Sequence, residues 1–311
     1  MMDFCGVLNL DAEKIENKGE DATTFKFDEN GNGYMFVFDG SGGAGSEKHL
    51  DLNGEKSAYI ASRACALFCT DFFQDEKIAD VSVNELAEQI YSYLLRVNQT
   101  YPMESSESTL VDVLPTTICG AVIKNEENEL NITFVWAGDS RGYIIDDDGL
   151  SQLTEDDVNS RDAYYNLFDD SIMSNRIHGN SNKSIFEIHT SRIRLQKRGI
   201  VICSTDGSYD YFNSPMVFEF LLITMLATSD SFEEAKSKLL DVLNDKSGDD
   251  CSLVMVFYGF SDYSEVREFT QKRFELLNCD KDKFDERYWN ENYKKNYYRY
   301  NSLRSEEVAG N

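Results

Sequence analysis

Several short segments of this chain are apolar at every position, and this feature restricts the fold more than any other. Examples are YMFVF (34–38), IVIC (200–203) and LVMVF (253–257). Segments of this length without polar alternation indicate strands that are buried on both faces, because an exposed face would leave apolar area in water. Each such strand therefore needs one layer of protein above it and another below it.

The order of the predicted elements favours antiparallel sheets. Strands TTFKF and YMFVF are joined by the turn DENGNG, and two amphipathic helices follow, one over about 54–75 and one after the capping box SVNE (82–85). Further strands come next, and helices that begin at SP (214–215) and at a second capping box, SFEE (231–234), precede the last strand. A parallel sheet would require regular alternation of strands and helices. We therefore predict an α+β fold in which two antiparallel sheets pack together between helices.

Composition argues against several classes of protein. Of the 311 residues 41% are hydrophobic, and the net charge is −26, so we expect a globular protein that does not bind nucleic acid. No run of 18 apolar residues occurs, so no membrane span is expected, and the first residues lack the basic and apolar regions of a secretory signal. Seven cysteines without a CxxC pair indicate reduced thiols and a cytoplasmic location.

Two regions differ from the rest of the chain. The segment 155–182 is irregular and polar with scattered aromatic residues, which is typical of a mobile flap. After Phe260 the pattern is helical and then rich in tyrosine and basic residues. We predict one domain over 1–260 and a helical extension over 261–311. The tyrosines of the extension could pack on the body, which is the interpretation we favour, or contact a partner or an anionic ligand.

Acidic residues stand at the ends of five predicted strands. One alone would be an ordinary turn residue, but acids at five strand ends could converge at one edge of a sandwich. Carboxylates that lie close together repel one another, and a divalent cation relieves this repulsion. Ligand sets that contain only oxygen favour Mg²⁺ or Mn²⁺. The acids are Glu20, Asp21, Asp39, Asp139, Asp206, Asp249 and Asp250.

A different metal site is suggested by the first turn. DENGNGYMFVFD (28–39) matches the ligand spacing of an EF-hand loop, with Asp39 in the position of the usual glutamate. An EF-hand loop needs a helix on each side, and both flanks here are predicted strands. We therefore interpret DENGNG as a hairpin turn.

Taken together, several segments resemble the metal-dependent protein serine/threonine phosphatases of type 2C, over about residues 15–260. The resemblance implies a four-layer αββα sandwich, two Mn²⁺ or Mg²⁺ ions with a third in many members, and hydrolysis of phosphoserine and phosphothreonine in proteins. It also implies that residues near 155–180 form the flap. The segments are GEDA (19–22), FVFDGSGG (36–43), PTTICGAVI (115–123), WAGDSRGYII (136–145), SNRIHGN (174–180), IVICSTDGSYD (200–210) and DDCSLVMVF (249–257).

The resemblance also implies a role for each of these acids except Asp250, with Asp39 and Asp206 central to catalysis. Asp39 is expected to bridge the two ions. By position, Asp206 and Asp249 complete the ligands of the first ion, Glu20 and the backbone carbonyl of Gly40 hold the second, Asp139 binds the third, and Asp21 acts through water.

Two positions depart from the family pattern. Eukaryotic members carry a histidine, proposed as general acid, where this chain has Ser41, whose hydroxyl is too weak an acid for that role near pH 7. Bacterial members commonly lack this histidine as well. Glu16 replaces the phosphate-binding arginine, and Lys14 or Lys18 could contact phosphate without the bidentate geometry of a guanidinium. The alternative to a phosphatase is therefore a non-catalytic binding or regulatory protein on the same fold.

Overall fold

Two five-stranded antiparallel sheets form the centre of the computed structural model, which describes residues 1–73, 82–104, 111–126, 129–158, 160, 162–168 and 172–300. In spatial order, sheet 1 contains β1 (Phe4–Ala12), β12 (Cys251–Tyr258), β11 (Gly199–Ser204), β8 (Arg141–Asp146) and β9 (Gly149–Gln152). Sheet 2 contains β10 (His189–Leu195), β7 (Glu129–Ala137), β6 (Ile118–Glu126), β3 (Gly33–Phe38) and β2 (Ala22–Phe27). A small ribbon pairs β4 (Lys48–His49) with β5 (Glu55–Lys56).

Helices cover the outer face of each sheet, which confirms the predicted α+β, four-layer αββα sandwich. Sheet 2 is covered by α1 (Ser57–Phe72) and α2 (Val83–Thr100), and sheet 1 by α4 (Pro215–Ala227) and α5 (Phe232–Lys246). The remaining helices are α3 (Ala163–Asn166), α6 (Tyr263–Asp280), α7 (Glu286–Tyr288) and α8 (Lys294–Tyr297), with a π-helical turn at Trp289–Tyr293 and 3₁₀ turns at Leu50–Leu52, Asp206–Ser208 and Lys281–Lys283. In the described part of the chain, no helix combines the length and apolar character needed to cross a membrane.

Strand β3 shows why its sequence has no polar alternation. Tyr34, Phe36 and Phe38 pack against α1 and α2, whereas Met35 and Val37 pack between the two sheets. Successive side chains of a strand point to opposite faces, and here both faces are covered. The same division holds for β11 and β12, whose alternate residues face α4 and α5 or the other sheet.

The predicted helix starts are only partly confirmed. Ser214 caps α4, because its hydroxyl accepts a hydrogen bond from the amide of Val217 at 3.3 Å, with proline in the first turn. Ser231 caps α5 by accepting from the amide of Glu234 at 3.2 Å. The expected capping box at Ser82 is wrong in its contacts: α2 begins at Val83, but the Ser82 side chain makes no capping bond. The carboxylate of the matching residue, Glu85, accepts from the Gln89 side chain instead.

Residues beyond 260 share the core of sheet 1. Trp289, Tyr293 and Tyr297 are buried in the cluster that also contains the outer residues of β11 and β12. A fully buried acid, Glu219 of α4, accepts two hydrogen bonds from the Arg273 guanidinium at 2.8 and 2.9 Å. The Tyr293 hydroxyl and the amide of Leu150 also donate to this carboxylate. The division between domain and extension near residue 260 stays a prediction.

The Glu219–Arg273 contact predicts a large stability loss in the Arg273→Met variant. Removing one partner of a buried ion pair leaves the other charge uncompensated, so we expect the free energy of unfolding to fall by about 3–5 kcal/mol. Urea denaturation followed by circular dichroism measures this loss. Arg287→Met is the matched control, because Arg287 and Glu291 form an exposed pair whose loss costs about 1 kcal/mol or less. Equal losses in the two variants would contradict this account of Glu219.

Candidate metal centre

Strand register brings the predicted acids to one end of the sandwich. In sheet 1, Ser204 at the end of β11 pairs with Arg141 at the start of β8 and with Leu253 near the start of β12. In sheet 2, Phe38 at the end of β3 pairs with Ala22 at the start of β2. Every predicted acid lies within a few residues of one of these positions. Antiparallel pairing therefore gathers side chains that are far apart in the sequence.

Three of the acids meet directly. Carboxylate oxygens of Asp39, Asp139 and Asp206 lie within 4.8 Å of one another, and each side chain keeps some exposure to solvent. Oδ1 of Asp139 is buried and has no hydrogen-bond partner among the described residues. A buried oxygen without a donor is costly unless a cation approaches it. This all-oxygen group therefore fits Mg²⁺ or Mn²⁺.

The electrostatics of the group also favour a bound cation. Burial raises the pKa of Asp39 well above its usual range, and the charges of Asp206 and Asp21 raise it further. Burial and the charge of Asp206 act in the same way on the pKa of Asp139. Burial, followed by the charge of Asp249, raises the pKa of Asp206 to about 6. Near neutral pH the protein therefore needs either protons or a cation among these carboxylates.

Hydrogen bonds hold the backbone of Asp39 in place. Its amide donates to the Thr117 hydroxyl at 3.0 Å, and its carbonyl accepts from the Thr117 amide at 2.8 Å and the Thr116 hydroxyl at 2.7 Å. The next residue, Gly40, lies so close to Ala58 that a Cβ atom would approach the Ala58 carbonyl oxygen to 2.6 Å. A side chain at position 40 would therefore clash with this backbone. The Gly40 carbonyl stays a predicted backbone ligand.

Glu20 lies next to Gly40 and Gly42, and its carboxylate forms an ion pair with Lys56. Its Oε1 accepts from the Lys56 ammonium at 2.6 Å, and a Cβ atom added to Gly42 would lie 2.2 Å from its Oε2. Glu20 is not part of the group formed by Asp39, Asp139 and Asp206. Its role as a metal ligand therefore stays a prediction that requires the carboxylate to exchange Lys56 for an ion.

The remaining predicted acids surround this group. Asp249 accepts from the amide of Asp250 at 2.9 Å, and its charge acts on both Asp39 and Asp206. Asp21 accepts from the Thr205 hydroxyl at 2.7 Å, and its charge raises the pKa of Asp39. Their predicted functions, a direct ligand for Asp249 and a water-mediated contact for Asp21, stay predictions.

The predicted phosphate contacts differ in their surroundings. The Lys14 ammonium donates to the Ser247 carbonyl at 2.7 Å, and its amide donates to Asp250. Lys18 is exposed. Ser41 lies beside the centre with a buried hydroxyl that has no partner among the described residues. The predicted flap falls partly outside the described residues, which within it are 155–158, 160, 162–168 and 172–182.

Two further residues contribute to the site and are not among the predicted ones. Burial and the charge of Asp206 raise the pKa of Asp210 to about 7, which places Asp210 in the same cluster. Arg141 is 2% exposed and binds Asp156 through three contacts of 2.6 to 3.1 Å. The only signals available were an acid four residues after Asp206 and an arginine that opens an apolar strand.

Comparisons with known proteins agree with this architecture. A family model described as protein phosphatase 2C matches residues 14–247. The structure of the serine/threonine phosphatase Stp1 from Staphylococcus aureus superposes with a TM-score of 0.58 and 16% identity, covering 83% of this chain and 95% of that chain. The Mycobacterium tuberculosis serine/threonine phosphatase PstP/Ppp gives 0.57 and 15%, covering 82% and 98%. The catalytic domain of PstP in complex with two manganese ions gives 0.55 and 15%, with the same coverage. A search of curated proteins gives no match.

The raised pKa values predict that the metal-free protein becomes less stable as pH rises. A carboxyl whose pKa is higher in the folded state than in the unfolded state favours folding while it is protonated, and this contribution is lost as pH rises through the folded pKa. For Asp206 and Asp210 the window runs from about pH 4 to about pH 7, and we expect a loss of about 3–7 kcal/mol across it, the lower figure if Asp206 alone contributes. Thermal unfolding in chelator at several pH values measures the loss.

The control for this experiment removes the titrating groups. In the Asp206→Asn/Asp210→Asn variant the pH dependence in chelator should be smaller, and saturating Mn²⁺ should reduce it in the unaltered protein. An unchanged pH profile in the double variant would contradict the assignment to these two acids.

Proposed function

This chain belongs to the protein phosphatase 2C family of serine/threonine phosphatases, and we propose that it hydrolyses phosphoserine and phosphothreonine in proteins by using divalent metal ions bound at the strand-end acids. The observation that carries the proposal is the convergence of the Asp39, Asp139 and Asp206 carboxylates, together with a buried oxygen of Asp139 that has no hydrogen-bond partner within the described part of the chain. The Mn²⁺-bound neighbour described above supports a divalent cofactor, and either Mn²⁺ or Mg²⁺ fits the oxygen ligands.

In this proposal each protein group has a defined task. Two bound ions would supply Lewis acidity and lower the pKa of a water molecule enough for it to act as nucleophile near neutral pH. Asp39 would help to hold both ions, and hydrogen bonds from Thr116 and Thr117 keep its backbone in place. Asp206 and Asp249 would complete the site of the first ion, Glu20 and the Gly40 carbonyl would hold the second, Asp139 would hold a third, and Asp21 would act through water.

The phosphate contact is the part of the site that differs most from the family pattern. Glu16 stands where the family has arginine, and the Lys14 ammonium is already engaged with the Ser247 carbonyl. Lys56 is the cation that contacts a proposed metal ligand, and its side chain is 53% exposed. Binding of an ion by Glu20 would release the Lys56 ammonium next to the reacting phosphate. We therefore add Lys56 to Lys18 and Lys14 as a candidate phosphate contact.

A second candidate function is a non-catalytic binding protein on the same fold. The ion pair between Glu20 and Lys56 favours it, because a lysine that satisfies Glu20 permanently would exclude the second ion. Ser41 and Glu16, which depart from the family pattern, also favour a non-catalytic protein. The two functions differ in whether the protein binds Mn²⁺ and whether the bound ion supports turnover.

The Asp206→Asn variant tests the catalytic proposal. An amide oxygen carries no charge, so metal affinity should fall and Mn²⁺-dependent phosphate release from a phosphothreonine peptide should drop about a hundredfold or more. Asp245→Asn is the matched control, because Asp245 is an exposed acid on α5 that pairs with the adjacent Lys246. Equal rates of the unaltered protein in chelator and in Mn²⁺ would refute catalysis and favour the binding protein.

The Lys56→Gln variant tests the phosphate contact. If Lys56 binds the substrate phosphate, removing its charge should raise KM for the peptide about fivefold or more while kcat changes less, since one charge-assisted hydrogen bond is lost. Lys26→Gln, an exposed lysine on β2, serves as the control for the change in net charge. A Lys56→Gln enzyme with unchanged KM would remove Lys56 from the substrate site.

A further inference from the structure

The last described part of the chain packs against the hairpin that follows Asp139. We call residues 286–300 the C-terminal segment; it contains α7, the π-helical turn and α8. Ser151 of β9 donates to the carbonyl of Asn296 at 3.0 Å, and the Asn296 amide nitrogen donates to the carbonyl of Asp148. The segment therefore lies along the β8–β9 hairpin, whose other end begins two residues after Asp139.

A buried chain of side chains leads from this segment toward the centre. The Tyr297 hydroxyl donates to Oε1 of Gln152 at 3.0 Å, and Nε2 of Gln152 donates to Oδ1 of Asp156 at 3.0 Å. Asp156 in turn accepts from the Arg141 guanidinium at 2.6 to 3.1 Å. All four side chains are 8% exposed or less, so these contacts are formed away from water.

The series of side-chain contacts continues from Arg141 to Asp139, a proposed metal ligand. The guanidinium carbon lies over the Tyr209 ring, 4.0 Å from its centroid. The Tyr209 hydroxyl donates to the backbone carbonyl of Asp139 at 2.7 Å. The carboxylate of the same residue belongs to the group with Asp39 and Asp206, and its buried Oδ1 has no hydrogen-bond partner in the ranges that the structure describes. Tyr297 is thus connected to Asp139 through an unbroken series of contacts.

A second set of contacts connects the C-terminal segment to Asp156. The Trp289 indole nitrogen and the Lys294 ammonium both donate to Asp162, at 3.1 and 2.5 Å, and the Tyr298 hydroxyl accepts from the amide of Ala163 at 2.7 Å. These contacts hold α3 against the body. Asn166 at the end of α3 then donates to Asp156 at 2.8 Å. Both sets of contacts therefore determine the position of the Asp156 carboxylate relative to Arg141.

We propose that the C-terminal segment is a positioning element of the metal centre and that Tyr297 acts through Gln152, Asp156, Arg141 and Tyr209 to fix Asp139. A loose Asp139 would bind a cation less well, because ligands held by outer hydrogen bonds bind metal more tightly than unsupported ones. The inference rests on the proposed function, since it requires Asp139 to bind an ion. If the segment only packed against the body, removing a hydroxyl far from the ion would leave metal affinity unchanged. The positioning role predicts that such a removal lowers metal affinity.

Hydroxyl deletions test the proposal in the full chain. Calorimetric titration with Mn²⁺ is carried out on the unaltered protein, Tyr209→Phe, Tyr297→Phe and the double variant. We expect Tyr209→Phe to weaken at least one Mn²⁺ site about tenfold and Tyr297→Phe to weaken the same site about threefold or more. If both hydroxyls act through the same series of contacts, the double variant should bind Mn²⁺ no more weakly than Tyr209→Phe alone, because the effects of interacting residues are not additive.

Tyr258→Phe is the matched control. Its side chain is fully buried, and its hydroxyl donates to the Gly31 carbonyl at 2.6 Å at the end of β12 opposite Asp249. Thermal unfolding should show similar stability losses for Tyr258→Phe and Tyr297→Phe, of about 1 kcal/mol each, with unchanged Mn²⁺ affinity only in the control.

The outcomes separate this inference from the proposed function. Mn²⁺ binding by the unaltered protein with the same affinity in Tyr297→Phe and Tyr258→Phe would overturn the positioning role alone. Additive effects of the two hydroxyl deletions would overturn the chain of contacts. Absence of Mn²⁺ binding by the unaltered protein would overturn the proposed function together with this inference.

Discussion

Repulsion among carboxylates that the strand register forces together is the constraint on which this structure depends. Elsewhere a deeply buried charged side chain is paired with one of opposite charge, as Arg141 is with Asp156. At the strand ends Asp39, Asp139 and Asp206 face one another, and burial together with the charge of neighbouring carboxylates raises the pKa of each. Such an arrangement is unfavourable for a protein alone and becomes favourable once a divalent cation lies between the oxygens.

The sandwich explains why the acids cannot simply move apart. Relaxing the end of β3 would expose side chains such as Phe36 and Phe38, which lie between the strand and the helices of sheet 2. Burial of one such aromatic side chain contributes about 1.5–3 kcal/mol. Separation of the strands would sacrifice several of these contributions at once, whereas binding an ion relieves the repulsion without moving the backbone. The same apolar segments that restrict the fold therefore maintain the charge cluster.

Sequence patterns predicted the secondary-structure elements and the convergence of the acids better than they predicted individual side-chain contacts. Apolar runs identify strands with two covered faces, and antiparallel pairing then requires that the end of one strand lies beside the start of the next. Contacts between side chains carry no such periodic signal. Lys56 reaches Glu20 across 36 residues and Tyr297 reaches Gln152 across 145, so their pairing depends on the finished packing. The capping box at Ser82 failed for a similar reason, since Glu85 has a competing partner one turn further along α2.

The region matched by the family model and the buried polar contacts of this chain differ in extent. The family model ends at residue 247, and the solved phosphatases cover 95–98% of their own length but only 82–83% of this chain. Glu219 and Gln152 lie inside the matched region, yet their partners Arg273 and Tyr297 lie beyond it. A chain that ended with the matched region would leave a fully buried carboxylate without its guanidinium. We infer that the unit that folds is longer than the family domain, and that the added helices complete its buried polar contacts.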